Sequence, residues 1–172
     1  MNFLSLGQFF YRYRSFIALP FFILLAILSP PGKVNILPNL FILLGIGIRL
    51  WASGYLGIRA RSRNIGGKFK IANGPYRILK HPLYCGNFFL VIGTILLYKP
   101  PIWLGIALVI IFLLEYSIII YTEEKILKNS PIQKIKFSIK NLKNEFSTLI
   151  VLLTIYLVYL FIVPAKTKIW KF

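Results

Sequence analysis

Residues 81–124 read HPLYCGNFFLVIGTILLYKPPIWLGIALVIIFLLEYSIIIYTEE. Two apolar runs, Leu83–Tyr98 and Ile102–Thr122, are separated only by Lys99, Pro100 and Pro101. Proline cannot continue a helix from its interior, so this step ends one run and starts the next. Runs of this length, with Glu115 as their one charge, predict two membrane-spanning helices. So short a connection makes them an antiparallel hairpin, and both ends of the stretch return to the same side of the membrane. Those ends carry His81, the single histidine of the chain, and Glu123 with Glu124, two of its four acids. Motifs some forty positions apart are therefore predicted to share one site.

The hairpin is preceded by a basic segment, RARSRNIGGKFKIANGPYRILK at 59–80, with seven Lys or Arg and no acid. Its end, GPYRILKHPLYCGN at 74–87, holds two prolines and two glycines, which fix a non-helical approach to the next span. Tyr76 and Tyr84 flank His81. A loop with aromatic faces, an imidazole and exposed amides at a helix start can hold a nucleoside and an anion. Upstream, 40–58 predicts a span whose Gly45, Gly47 and Gly54, with Ala52 and Ser53, allow close approach of a neighbour. The first apolar run, 16–29, is short. It crosses only if the Phe9–Arg14 turn extends its helix while Arg12 and Arg14 snorkel. Pro20 is a candidate kink, and Ser29–Lys33 (SPPGK) a turn. Downstream, 125–146 carries six lysines. There the spacing of Ile132, Ile135, Ile139 and Leu142 predicts an amphipathic helix lying on the bilayer. A last span covers 147–163. The prediction is an all-α integral membrane protein: one membrane domain over 1–172, with five transmembrane helices near 16–29, 40–58, 83–98, 102–122 and 147–163.

Charge and composition narrow the partners. A hydrophobic content of 58% is too high for an ordinary soluble domain of 172 residues. A net charge of +17 in so apolar a chain points to anionic lipid headgroups rather than nucleic acid. One cysteine, Cys85, and one histidine exclude an internal disulfide and a multi-cysteine or paired-histidine metal site, so no metal is expected. The first run ends in Pro30-Pro31 without a small-residue cleavage site, so no cleavable signal peptide is expected. With 59–80 in the cytoplasm, 15 Lys and Arg fall on that side and five on the other, Arg49 being within a span. That imbalance predicts a cytoplasmic N-terminus, histidine loop and glutamate pair, and a C-terminus on the opposite side.

The run G-P-Y-x-x-x-K/R-H-P-x-Y-x-G over Gly74–Gly86, followed by E-E-x-x-L at Glu123–Leu127, resembles the isoprenylcysteine carboxyl methyltransferase and phospholipid methyltransferase family. The resemblance covers roughly residues 45–127. It implies an integral membrane enzyme that moves a methyl group from S-adenosylmethionine to a lipidic acceptor. It also implies a cytoplasmic cofactor pocket lined by Lys68, Phe69, Lys70, Ile71, Tyr76, His81, Pro82, Leu83, Tyr84 and Glu123, with Glu124 completing the acidic pair. Two departures concern the acceptor. Prenylcysteine-type members carry an arginine one turn before the glutamates, where this chain has Ile119. They also continue with an aromatic tail, where this chain has KNSPIQKIKF and another span. The acceptor thus stays open between a prenylcysteine-type carboxylate and a lipid headgroup, amine or acidic, with the many lysines leaning toward an anionic lipid.

Plainer roles exist for each residue. His81 can be an ordinary loop histidine at a helix start, and Tyr76 and Tyr84 interfacial belt aromatics. Glu123 and Glu124 can merely neutralise a basic surface, and Cys85 can be a packing residue. Two readings of the whole chain also stand beside the methyltransferase. One is a sterol-type reductase using a nicotinamide cofactor, although such members place an acid where this chain has Asn87. The other is a non-catalytic protein of the same fold. Arg49 and Glu115 remain as charges inside spans, at depths of roughly 13 and 11 Å by the helical rise. Pairing is the usual remedy for such charges, so the two are predicted to meet across the bundle and close the floor of an acceptor cavity.

Overall fold

The computed structural model describes residues 2–30, 35–57, 65 and 69–169, with side chains through residue 161. Its long helices are α1 (Phe3–Leu28), α2 (Ile36–Leu56), α4 (Pro82–Tyr98), α5 (Ile102–Ile126) and α6 (Phe146–Ile169); the short α3 (Pro75–Ile78) precedes α4. Among the described residues four helices are long and apolar enough to cross a membrane, and α4 is a shorter apolar helix of 17 residues. The protein is a multi-pass α-helical membrane protein.

The first span does begin early. Helix α1 runs through Phe9–Arg14 from Phe3 and carries Pro20 in its interior. Lys99, in the left-handed conformation (φ 48°), caps α4, and Pro101 precedes the first turn of α5. Although joined by this turn, α4 packs chiefly on α2. The reason is a stripe of small residues. A Cβ on Gly93 would stand 2.6 Å from Ile42 Cγ1, and one on Gly45 would stand 2.9 Å from the carbonyl oxygen of Gly86. Gly47, expected to help, meets no neighbour within 4 Å.

At the Lys99 end, α1, α4, α5 and α6 converge on a buried cluster of Leu25, Leu97, Tyr98, Leu104, Leu108 and Tyr159. The Tyr98 hydroxyl donates to the Ile155 carbonyl at 2.8 Å, so the phenol enters the apolar cluster with its hydrogen bond made.

The amphipathic helix predicted over Ile132–Phe146 does not form. Ile132–Gln133 (β2) instead pairs in parallel with Lys70–Ile71 (β1). Asn73 then clips Ile135, donating from Nδ2 to its carbonyl (2.7 Å) and accepting its N–H at Oδ1 (3.0 Å). With these groups committed, Pro131–Ile135 cannot make helical i→i−4 bonds, whatever the spacing of its isoleucines. The chain continues extended to Ser138, whose N–H donates to the Gly54 carbonyl at 3.0 Å. It coils into a 3₁₀ helix only at Ile139–Glu145. Residues 127–145 are thus a strap tied to β1 at one end and to the end of α2 at the other. Phe137 packs edge-on against Tyr55, over Gly54, where a Cβ would lie 2.0 Å from its ring.

Candidate cofactor and acceptor cavity

The polar end of the bundle is built by three short devices. Gly74, at φ 60°, turns the chain into α3, which starts on Pro75 and buries it. His81 stands immediately before α4, with Pro82 in its first turn. The hairpin then returns Glu123 and Glu124 to that point. His81 Nδ1 stands 3.3 Å from Glu123 Oε2, and Nε2 stands 3.4 Å from Glu124 Oε1. The first contact has an ion-pair distance but not a hydrogen-bond direction, so Glu123 Oε2 is buried without a hydrogen-bond partner. Lys80 Nζ reaches Glu124 Oε1 at 2.6 Å on the open surface, where such a pair contributes little. The predicted meeting of the two motifs is what the hairpin produces.

Burial acts to depress the His81 pKa, but the adjacent carboxylates, Glu123 first and then Glu124, outweigh it, and the net shift is upward. Tyr76 behaves differently. Its hydroxyl is buried without a partner, and burial, then the Glu123 charge, pushes its phenol well above the ordinary range.

These groups open into one cavity of about 1500 Å³. Its walls include Phe69, Lys70, Ile71, Tyr76, His81, Pro82, Leu83, Tyr84, Glu123 and Glu124, every described residue of the expected cofactor set. Lys68 lies outside the described residues. One wall is an aromatic ladder. The His81 ring stacks on Tyr84 at 5.6 Å, Tyr84 meets Tyr116 edge-on at 5.2 Å, and Tyr116 stacks on Phe112 at 4.2 Å. Beyond it the cavity continues between the helices among Phe22, Val91, Ile95, Leu108 and Ile155, and ends on the buried cluster.

Arg49 and Glu115 both line this cavity, but they do not pair. Arg49 Nη2 lies 2.7 Å from Glu145 Oε2, and its Nε donates to the same oxygen at 2.9 Å. Ser53 Oγ donates to Glu145 Oε1 at 2.5 Å. Arg49 also donates from Nη1 to Asn87 Oδ1 and from Nη2 to Thr148 Oγ1. Asn87 Nδ2 in turn donates to the Tyr116 hydroxyl at 2.7 Å. The chain Glu145–Arg49–Asn87–Tyr116 thus crosses the bundle, linking the strap, α2, α4 and α5. The floor expected from an Arg49–Glu115 pair is made instead by the apolar cluster. Glu115 Oε1 is buried with no partner. Sequence reasoning missed Glu145, Asn87 and the contribution of Arg14 from α1. The signal for Glu145 was an acid three residues after Leu142, in line with the apolar stripe of the strap.

Among the described residues no group of three His, Cys, Asp or Glu side chains is placed to hold a metal ion. Comparison with curated proteins and with solved structures gives no match. The model of the phospholipid methyltransferase family matches residues 34–130, a stretch that takes in α2, the histidine loop, the hairpin and the glutamate pair. That is more than half of the chain, and the protein belongs to this family.

Proposed function

We propose that the protein transfers a methyl group from S-adenosylmethionine to the headgroup of a membrane lipid, with the cofactor taken up from the cytoplasm. The observation that carries this reading is the single cavity. It has unpartnered buried polar atoms, Tyr76 Oη and Glu123 Oε2, at one end and apolar helix walls at the other, in a member of the phospholipid methyltransferase family. Its volume exceeds the several hundred Å³ typical of a small-ligand pocket and suits two occupants side by side.

The residues at the polar end fit the cofactor. Tyr76, His81 and Tyr84 offer aromatic faces, which suit an adenine and attract a cationic sulfonium. Glu123 Oε2 is free to accept from ribose hydroxyls or an amine, and Lys70 and Lys80 lie close for a carboxylate. When bound, the cofactor supplies an electrophilic methyl group whose sulfur departs as a neutral thioether. The protein's own task is to align the acceptor with that methyl and keep water away. The apolar walls between α1, α4, α5 and α6 exclude water from the acceptor end, and the aromatic ladder joins the two ends.

Calorimetric titration of the detergent-purified protein with S-adenosylmethionine tests the reading. His81→Ala and Glu123→Ala should each weaken binding about tenfold or more while leaving the protein folded in detergent. Unchanged affinity in both variants would overturn the site. The lipid extract of cells carrying the protein should show a species heavier by one methyl group.

A further inference from the structure

The hydrogen bonds that cross the bundle from Arg49 all point one way. Arg49 is a donor only, and it gives Nη1 to Asn87 Oδ1. Asn87 must therefore turn its amide nitrogen toward α5, where Nδ2 donates to the Tyr116 hydroxyl at 2.7 Å. Glu145 and Thr148 hold the rest of the guanidinium, so the amide has no second arrangement that keeps its bonds. The Tyr116 oxygen is thereby an acceptor from Asn87, and its own proton lies on the side away from Asn87. Tyr116 is only 9% exposed, and among the described residues nothing accepts that proton. Glu115 Oε1 and Glu123 Oε2, the buried carboxylate oxygens of the same cavity, do not take it, because both are without a hydrogen-bond partner. A buried donor is seldom left unmet in a native protein, so the group that completes it is a ligand of the cavity that Tyr116 lines. The Tyr116 ring is also an inner rung of the aromatic ladder, between Tyr84 and Phe112. Along α5 it lies about 10 Å from Glu123 at the helical rise, where the polar end of the cavity gives way to the apolar one.

Resting on the methyltransferase reading above, we propose that Tyr116 donates its proton to an anionic oxygen of a bound substrate where the two occupants of the cavity meet, and that Asn87 and Arg49 are the positioning residues that aim it. The chemistry recognised is a phosphate or carboxylate oxygen. Two substrates carry one: a phospholipid in its phosphodiester, and S-adenosylmethionine in its carboxylate. Each donor in the series is polarised by the one before it, beginning with a permanent cation, so the last O–H is a stronger donor than an isolated phenol. The residue at position 87 decides the direction. An aspartate in place of Asn87 would still accept from Arg49, but its second oxygen would accept as well, and Tyr116 would have to turn its proton back onto it. The phenol would then offer the substrate only lone pairs.

Binding to the detergent-purified full chain tests this in two arms. One is calorimetric titration with S-adenosylmethionine. The other is native mass spectrometry with phosphatidylglycerol in the absence of cofactor, with diacylglycerol of identical acyl chains as the phosphate-free control. Tyr116→Phe keeps the stacked ring and removes the donor. Asn87→Asp keeps a partner for Arg49 and reverses the donor. In at least one arm each variant should lose about tenfold in affinity, the size expected for one hydrogen bond to a charged group, and that arm identifies the oxygen as the cofactor's or the lipid's. Diacylglycerol should bind wild type and variants alike, and an equal loss for it would mark a packing role and overturn the proposal. The double variant should bind no more weakly than Tyr116→Phe, since without the hydroxyl there is nothing for residue 87 to aim. Losses that add would show the aspartate acting through its charge alone, and would overturn the positioning role of Asn87. Unchanged affinity in both arms for either folded variant overturns the proposal, so a variant that does not fold leaves the other to decide. A wild type that does not bind S-adenosylmethionine counts instead against the methyltransferase reading.

Discussion

Arg49 lies within α2, and its guanidinium is committed to Glu145, Asn87 and Thr148. Its exposure is 12%, and that of Glu145 is 2%. Two charges so buried are held by each other, and removing one strands its partner. Arg49→Leu or Glu145→Leu alone should cost about 3 kcal/mol or more, and the double apolar variant should recover much of the loss. Thermal melts in detergent measure this, and a double variant no more stable than the worse single would refute it. The sequence showed that Arg49 needed a partner but pointed to the wrong acid. Glu115 shares its depth, whereas Glu145 comes from outside the spans, brought in by the strap. His81 gives a second test. Its pKa is raised in the folded state by Glu123 and Glu124. The stabilisation from the charged imidazole is then fully present below the unfolded value of about 6.5 and is lost as pH rises through the higher folded value. The difference in melting midpoint between wild type and His81→Gln should be largest in mild acid and shrink above neutrality.

At the level of elements, the hairpin was legible because its signals agree. Two apolar runs, a Lys-Pro-Pro step and a proline in the first turn of α4 all indicate the same arrangement. The meeting of His81 with the glutamate pair followed from chain length alone. The strap was not legible. Helical spacing in Ile132–Leu142 is a local signal, and the clip that overrides it comes from Asn73, far away in sequence. The same clip explains how Phe69–Ile71 are held at the cavity: β1 is paired to β2, and β2 leads into a segment anchored on Gly54. Asn73→Ala removes both hydrogen bonds to Ile135 and should cost about 1–3 kcal/mol. Limited proteolysis should then cut within 127–138 faster than in wild type, and an unchanged cleavage rate would show that the strap holds without its clip. Cofactor affinity should fall with it, since the β1 loop loses its backing.

On the scale of the whole molecule, Arg12, Arg14, Lys70, Lys80 and Lys128 all line the polar end of one cavity. On the positive-inside rule, the orientation expected is with that end in the cytoplasm. Single-cysteine accessibility should report Lys70 and Ser130 on the cytoplasmic side and residues past the end of α6 outside. A C-terminus reached from the cytoplasm would mean that one of the five long helices does not span. With that orientation, the packed cluster of Leu25, Leu97, Tyr98, Leu104, Leu108 and Tyr159 gains a meaning beyond stability. The cavity ends on it, so a headgroup admitted from the inner leaflet has no continuous path to the outer one. Under the proposed reading, acceptor and product must enter and leave by the same side. Modification would then change the chemical identity of the inner monolayer without carrying lipid across the bilayer, and the asymmetry of the membrane would be edited in place rather than dissipated.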